Sequence, residues 1–173
     1  ATDTVTEATT LYAKWTINTY MLTYTAGANG SITGETPQTV NYGGSGTTVT
    51  AVPNTGYHFA KWSDDSIDNP RTDTNVTANV SVTASFAINT YTVTFKDHDG
   101  EVLKTETVEH GTAATAPEVS TREGYTFTSW DKAFTNVTSD LTVTAQYKIN
   151  TYTVTFNSNG GDTEANPQTM EVN

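Results

Sequence analysis

A chain of 173 residues holds one ordinary domain or two small ones. A net charge of −11 and a pI near 4.4 argue against a nucleic-acid partner, the absence of cysteine excludes disulfide scaffolds, thiol catalysis and Cys-based zinc sites, and no apolar run approaches the 18 residues of a membrane span. Leu, Ile, Val and Phe total only 30 residues, about 17%, yet 39 Thr, nine Tyr and three Trp favour strands and supply buriable surface, which argues against disorder.

The chain opens on Leu11 to Trp15, a short alternating segment that ends in an aromatic. Ile17-Asn18-Thr19-Tyr20 follows, then Tyr20 to Tyr24 with period-two alternation, a strand with one face toward a core. Asn29-Gly30 is a turn signal of the type I′ hairpin, in which both central residues need positive φ. Gln38-Thr39-Val40 reads as the returning strand. Gly43-Gly44-Ser45-Gly46 reads as a flexible loop, and it lacks the spacing of a nucleophile elbow. Gly56-Tyr57-His58-Phe59-Ala60-Lys61-Trp62 is a third strand. Val82 to Phe86 is a fourth and ends in an aromatic, as Leu11 to Trp15 does.

The same order then returns. Ile88-Asn89-Thr90-Tyr91 leads into Tyr91 to Phe95, then Asp99-Gly100, then Lys104 to Val108. His110-Gly111 stands where Tyr42-Gly43 stood. Gly124-Tyr125-Thr126-Phe127-Thr128-Ser129-Trp130 restates Gly-Tyr-x-Phe-x-x-Trp, Thr135-Asn136-Val137-Thr138 restates Thr74-Asn75-Val76-Thr77, and Val143 to Tyr147 restates the closing strand. Ile149-Asn150-Thr151-Tyr152 begins a third copy. Marks recurring in phase at this period are the signature of a tandem repeat. The predicted frame is residues 1–16 as the closing strand of a preceding repeat, 17–87 and 88–148 as full repeats, and 149–173 as the opening hairpin of a truncated third. Residues 64–70 and 131–140 could turn once or twice as helix but show no apolar stripe. Tyr57, Phe59, Trp62, Tyr125, Phe127 and Trp130 are the predicted structural core. Few residues separate the last strand of one repeat from the first of the next, and neither Gly nor Pro lies among them. A semi-rigid string of units is expected.

These motifs resemble the B-repeat of listerial internalin B and the wider Listeria–Bacteroides repeat group. The carrying residues are Tyr91 to Phe95, Asp99-Gly100, Thr121 to Trp130 and Leu141 to Tyr147, with 17–87 similar to a longer, divergent variant through Gly30-Ser31-Ile32 and Gly56 to Trp62. The resemblance implies a mainly β, β-grasp-like unit of about four strands with the helix short or absent. It implies an extracellular place on a bacterial surface protein, attached to the cell wall through other parts, and no catalytic residues. It implies a spacer, or alternatively a module that binds a host receptor, mucin or glycan.

The sequence carries few candidate reactive groups. His58 lies in a strand pointing away from Tyr57 and Phe59, His98 lies in a turn, and His110 replaces Tyr42, so none repeats as a catalytic feature. No zinc-protease or phosphate-loop motif occurs. Asp97-His98-Asp99-Gly100-Glu101 offers three carboxylates at alternate positions, short of the ligand count of a calcium loop. Asp64, Asp65, Asp68 and Asp73 read as a solvated acidic loop. Asn29, Asn75, Asn79 and Asn136 begin Asn-x-Ser/Thr but read as turn chemistry. No cofactor and no metal are expected. Charge is even, with −1, −3, −4 and −3 on the four segments, so no basic face exists for polyanions or phospholipid. Open sheet edges could pair with another chain. The expected neighbours are the adjoining repeats, with Tyr12, Tyr42 and Tyr57 as candidate exposed aromatics for a receptor or glycan.

Overall fold

The computed structural model describes residues 7, 8, 10, 12–156 and 167–171. The described residues are all β-strand, turn and loop, with no helix. The chain divides into two compact units, Ala1–Ala87 and Ile88–Asn173.

The first unit contains β1 (Thr19–Ala26), β2 (Gly30–Thr33), β3 (Gln38–Asn41), β4 (Thr50–Pro53), β5 (Tyr57–Trp62) and β6 (Val80–Ile88). Its main sheet has the order β3-β1-β6-β5, with β1 and β6 parallel at the centre and β3 antiparallel to β1. A side ribbon pairs β2 with β4. Alternation along β1 and β6 turns Leu22, Tyr24, Val82 and Ala84 to one face, where Val49, Ala51, Trp62 and Val76 close over them. Tyr24 meets the Trp62 ring edge-on at 5.9 Å.

The second unit repeats the sheet with β7 (Thr90–Lys96), β8 (Val102–Glu109), β9 (Tyr125–Trp130) and β10 (Leu141–Ile149), in the order β8-β7-β10-β9. Again the two central strands, β7 and β10, run parallel. Its core is Val93, Phe95, Val108, Ala114, Val137 and Val143, with Trp130, Phe134, Tyr91 and Leu141 packed against it. Phe95 takes the place of Tyr24 and meets Trp130 edge-on at 5.0 Å. Beyond β10, β11 (Thr151–Val154) and β12 (Gln168–Glu171) form an exposed antiparallel ribbon.

The phased motifs meet one another in space, which explains their shared phase. The Gly43 N–H donates to the Val76 carbonyl, and the Gly111 N–H to the Val137 carbonyl, both at 2.8 Å. Val76 and Val137 are buried. Thus Thr-Asn-Val-Thr carries one core valine and the carbonyl that receives the aromatic-Gly turn. Asn79 Oδ1 accepts from the Met21 N–H, as Asp140 Oδ1 accepts from Thr92. Asn79 therefore positions the start of β1, consistent with a turn role. Gly56 and Gly124, at φ of 83° and 75°, make the turns into β5 and β9 that a side chain would strain.

Several expectations are corrected. Asn29 alone has positive φ at its turn, and Gly100 alone at the other, so neither is type I′. At 97–101 the Gly100 N–H donates to the Asp97 carbonyl, and the Asp97 N–H donates to the Glu101 carbonyl. That is the three-residue hairpin with left-handed glycine and a bulge, and it accompanies the register shift at Phe95/Lys96. After Asn29 the chain does not return beside β1 but enters β2, which pairs with β4. The Gly43–Gly46 loop is tied down: Gly44 donates to the Asn41 carbonyl and Gly46 to the Asp73 carbonyl, and a Cβ on Gly46 would collide with Leu22 and Gln38. The six aromatics predicted as core are unequal. Trp62 is fully buried, Phe59 and Trp130 flank the cores, and Tyr57, Tyr125 and Phe127 are half-buried outside them. The reason is position, since β5 and β9 are edge strands with a neighbour on one side only. Residues 12–18 are not strand, and Tyr12 and Trp15 are exposed. Residues 1–6, 9 and 11, and Asn159-Gly160, where the third copy is expected to turn, lie outside the described residues.

Candidate functional site

Of the acidic residues after Trp62, Asp64, Asp65 and Asp68 are exposed, as expected of a solvated loop, and Asp73 is half-buried. Arg71 is buried, and its guanidinium is held by Asp73 through Nε at 2.9 Å and Nη2 at 2.8 Å, and by Asp64 through Nη1 at 2.9 Å. The Tyr24 hydroxyl donates to Asp73 Oδ2 at 2.6 Å, and the Trp62 indole N–H donates to the Asp68 carbonyl at 2.8 Å. Arg71 Cζ lies 5.5 Å from the Trp62 ring centre. A fork donor meeting a carboxylate with two parallel bonds is a strong, orienting contact. It closes the loop 63–79 over the core and occupies the Asp73 and Asp64 carboxylates in ion pairs. The Arg71 hydrogen bonds hold the Asp73 and Asp64 carboxyls below their ordinary value of 3.8, against the burial that would raise them. A carboxyl with a depressed folded pKa contributes stability that is full above its unfolded value and lost as pH falls through its folded value. The first unit is therefore expected to lose stability as pH drops below about 3.8, read as a falling urea midpoint of Trp fluorescence. A midpoint flat from pH 5 to 2 would contradict it.

In the second unit the Asp97, His98 and Asp99 ligand atoms lie within 4.8 Å of one another. Asp97 is buried, but its Oδ1 accepts from the His98 N–H at 2.7 Å and sits 3.1 Å from the His98 ring nitrogen. Asp99 Oδ1 accepts from the Glu101 N–H at 3.0 Å. Burial would raise the Asp97 carboxyl, but the His98 contacts and the Tyr147 hydroxyl outweigh it and hold it low. These carboxylates shape the hairpin, and their number is short of the six to eight oxygens calcium takes. His58 faces outward from β5. His110 packs its ring 5.9 Å from Tyr91, as Tyr42 packs 6.3 Å from Tyr20, so it fills a structural place shared by both repeats.

Two surface depressions lie among the described residues of the second unit. One, of about 460 Å³, is lined by Thr126 and Thr128 of β9, Lys148 and Ile149 of β10, and Asn150 to Tyr152. The Asn150 N–H donates to the Gly124 carbonyl at 2.7 Å, and Thr126 Oγ1 donates to Asn150 Oδ1 at 2.6 Å. The other, of about 240 Å³, surrounds Arg122, with Val119 to Thr121, Tyr125 to Phe127 and Tyr147. Arg122 Cζ stands 3.5 Å from the Tyr125 ring centre. Of the expected exposed aromatics, Tyr12 and Tyr42 are exposed and Tyr57 is half-buried. Sequence reading missed Arg71 and Arg122. The spacing Asp64, Arg71, Asp73 was the available signal for the first, and Arg122 two residues before Gly124 for the second.

The same four-stranded sheet built twice from motifs that recur in phase defines a tandem-repeat module. Residues 20–90 match the divergent InlB B-repeat domain, and residues 91–151 and 152–173 match the Listeria–Bacteroides repeat domain, so the chain belongs to this group of repeat families. Each match begins at or just after the Tyr of Ile-Asn-Thr-Tyr. The chain is similar to a protein of Evansella cellulosilytica that carries the provisional name Gly-rich membrane protein, at 30% identity over 90% of this chain and 19% of that one. It is 37% identical to Internalin H of Listeria monocytogenes over 51% of this chain and 17% of that protein. The chain thus spans about a fifth of the length of these relatives. Among solved structures, the streptococcal high-identity tandem repeat domains 3–4 of a cell surface protein align over 76% of this chain and 98% of theirs, at 15% identity and a TM-score of 0.28.

Proposed function

We propose that this chain is a non-catalytic tandem-repeat segment of a bacterial cell-surface protein, serving as a semi-rigid spacer in an adhesin-like parent attached to the cell wall elsewhere. The observation that carries the reading is the joint. Asn89 alone separates β6 from β7, and Asn150 alone separates β10 from β11. Both joint residues are hydrogen-bonded through the backbone. The Asn89 carbonyl accepts from the His110 N–H at 2.8 Å, and the Asn150 N–H donates to the Gly124 carbonyl at 2.7 Å. A joint of one residue, with neither Gly nor Pro, has few soft dihedrals to spend on hinging. The names of the relatives, a membrane protein and an internalin, support the surface location. The parallel central pair flanked by antiparallel strands supports a β-grasp-like reading of each unit. Small-angle scattering of the whole chain tests the spacer: one conformation should fit the profile, and a requirement for freely hinging units would overturn it.

The second reading, a module that binds a host receptor, mucin or glycan, is favoured by exposed Tyr42 and by the Arg122 groove. Saturable binding to mucin, a glycan array or host-cell extract, lost on mutating an exposed residue of a folded chain, would establish it beside the spacer role.

A further inference from the structure

We propose that the groove around Arg122 binds the carboxylate of an acidic sugar residue, a role that goes beyond the spacer reading and that a pure spacer does not need. Arg122 differs from Arg71 in the way it is held. Arg71 is neutralised by two aspartates, whereas Arg122 makes no ion pair and no side-chain hydrogen bond with any described residue. It lies over the Tyr125 ring at 3.5 Å and 5.9 Å from the Tyr147 ring. A cation resting on aromatic faces is held in place without losing its charge, and its N–H donors remain available to a ligand. The planar fork matches a carboxylate with two parallel bonds.

The rest of the lining suits a sugar. Ser120 and Thr121, which carry hydroxyls, line the groove with Arg122, and Phe127 and Tyr147 supply ring surface. The Tyr147 hydroxyl lies 3.2 Å from the Ser120 carbonyl and also reaches Asp97, so its single proton serves one of them at a time. No carboxylate lines the groove, although the chain carries 19 acidic residues. At about 240 Å³ the space is smaller than a drug-sized pocket and fits one ring. One isolated cation also selects a single carboxylate over a sulfated polyanion, which needs a basic stripe.

The first repeat supplies an internal control. There Asn54 stands where Arg122 stands, since the Tyr57 N–H donates to the Asn54 carbonyl as the Tyr125 N–H donates to the Arg122 carbonyl. Phe86 stands in place of Tyr147. The first unit thus lacks both the charge and the hydroxyl.

The test is a titration of the full 15N-labelled chain with glucuronic acid and N-acetylneuraminic acid, followed by amide shifts. Glucose and acetate are the controls. At least one acid sugar should shift residues 119–127 and Tyr147 saturably, leave the first unit unmoved, and bind at least about tenfold more tightly than glucose or acetate. Arg122→Gln should weaken binding about ten- to hundredfold, with Arg122→Lys in between and native spectra elsewhere. Equal response to acetate would make the groove a simple anion site and overturn the proposal. So would binding that survives Arg122→Gln, or no saturation with either acid sugar at tens of millimolar. If Arg122→Gln does not fold, the Lys variant and the controls still decide. The scattering profile is indifferent to every one of these outcomes, so the spacer reading stands or falls separately.

Discussion

Replacing Trp62 with alanine is expected to destabilise the first unit by about 3–5 kcal/mol, enough to leave a small unit largely unfolded at room temperature. Trp62 is the fully buried side chain that edge strand β5 sends into the core, with the partly buried Phe59 packed beside it. Its ring meets Tyr24 and Phe59 edge-on or tilted, and its indole N–H caps the Asp68 carbonyl. The truncation creates a cavity, removes those ring contacts and orphans a carbonyl. A urea melt read by backbone amide signals should show the first unit lost while the second keeps its native shifts. Loss of both together would mean that the units are not separately stable.

Replacing Arg71 with methionine should cost the first unit about 3 kcal/mol at neutral pH, because it leaves Asp73 ionised, half-enclosed and without its counter-charge. The sign of the pH dependence identifies the cause. In the parent chain the pair contributes stability only while Asp73 is ionised, so the gap between parent and Arg71→Met should narrow as pH falls below about 3.8. A gap that stays constant down to pH 2 would place the loss in packing instead. Tyr24→Phe removes one donor to Asp73 and should cost about 1 kcal/mol. Because Arg71 also lies against Trp62, the Trp62 and Arg71 substitutions should be less than additive.

The second unit shows what the clamp replaces. Phe95 stands at the position of Tyr24 and has no hydroxyl to place. Its ring packs instead against Trp130 and Phe134, at 5.0 and 5.2 Å. The first repeat spends a longer loop, 63–79, on an arginine and two aspartates where the second spends a phenylalanine. The two variants share a sheet and differ in how they roof it.

This contrast also explains what was legible in the sequence. Strands β1, β6, β7 and β10 were readable because Thr alternates with apolar residues there, and because each segment occurs at least twice in phase. The repeat marks were readable for a physical reason: Tyr42-Gly43 and Thr74 to Thr77 bond to each other, so they persist together. The Arg71 clamp was not readable. It joins residues up to 49 positions apart and occurs in one repeat only, so no phase exposed it. The turn types were misjudged because Asn-Gly and Asp-Gly also suit turns with a single left-handed residue. The aromatic edge strands looked like core because composition does not say which strand of a sheet lies outermost. At the candidate groove, Arg122 was visible as a residue but not as a charge left unpaired.

The spacer account rests on the joints, and pulsed electron resonance between two spin labels measures them directly. The chain has no cysteine, so Thr39→Cys and Thr107→Cys label selectively. Both positions are exposed and equivalent, each one residue before the Val that pairs with the first tyrosine of its repeat. The account predicts one narrow distance distribution, unchanged by temperature within the folded range. Inserting Gly-Gly-Ser after Asn89 should broaden it. A broad distribution in the unmodified chain, as wide as in the inserted one, would contradict the claim that this segment works as a semi-rigid spacer.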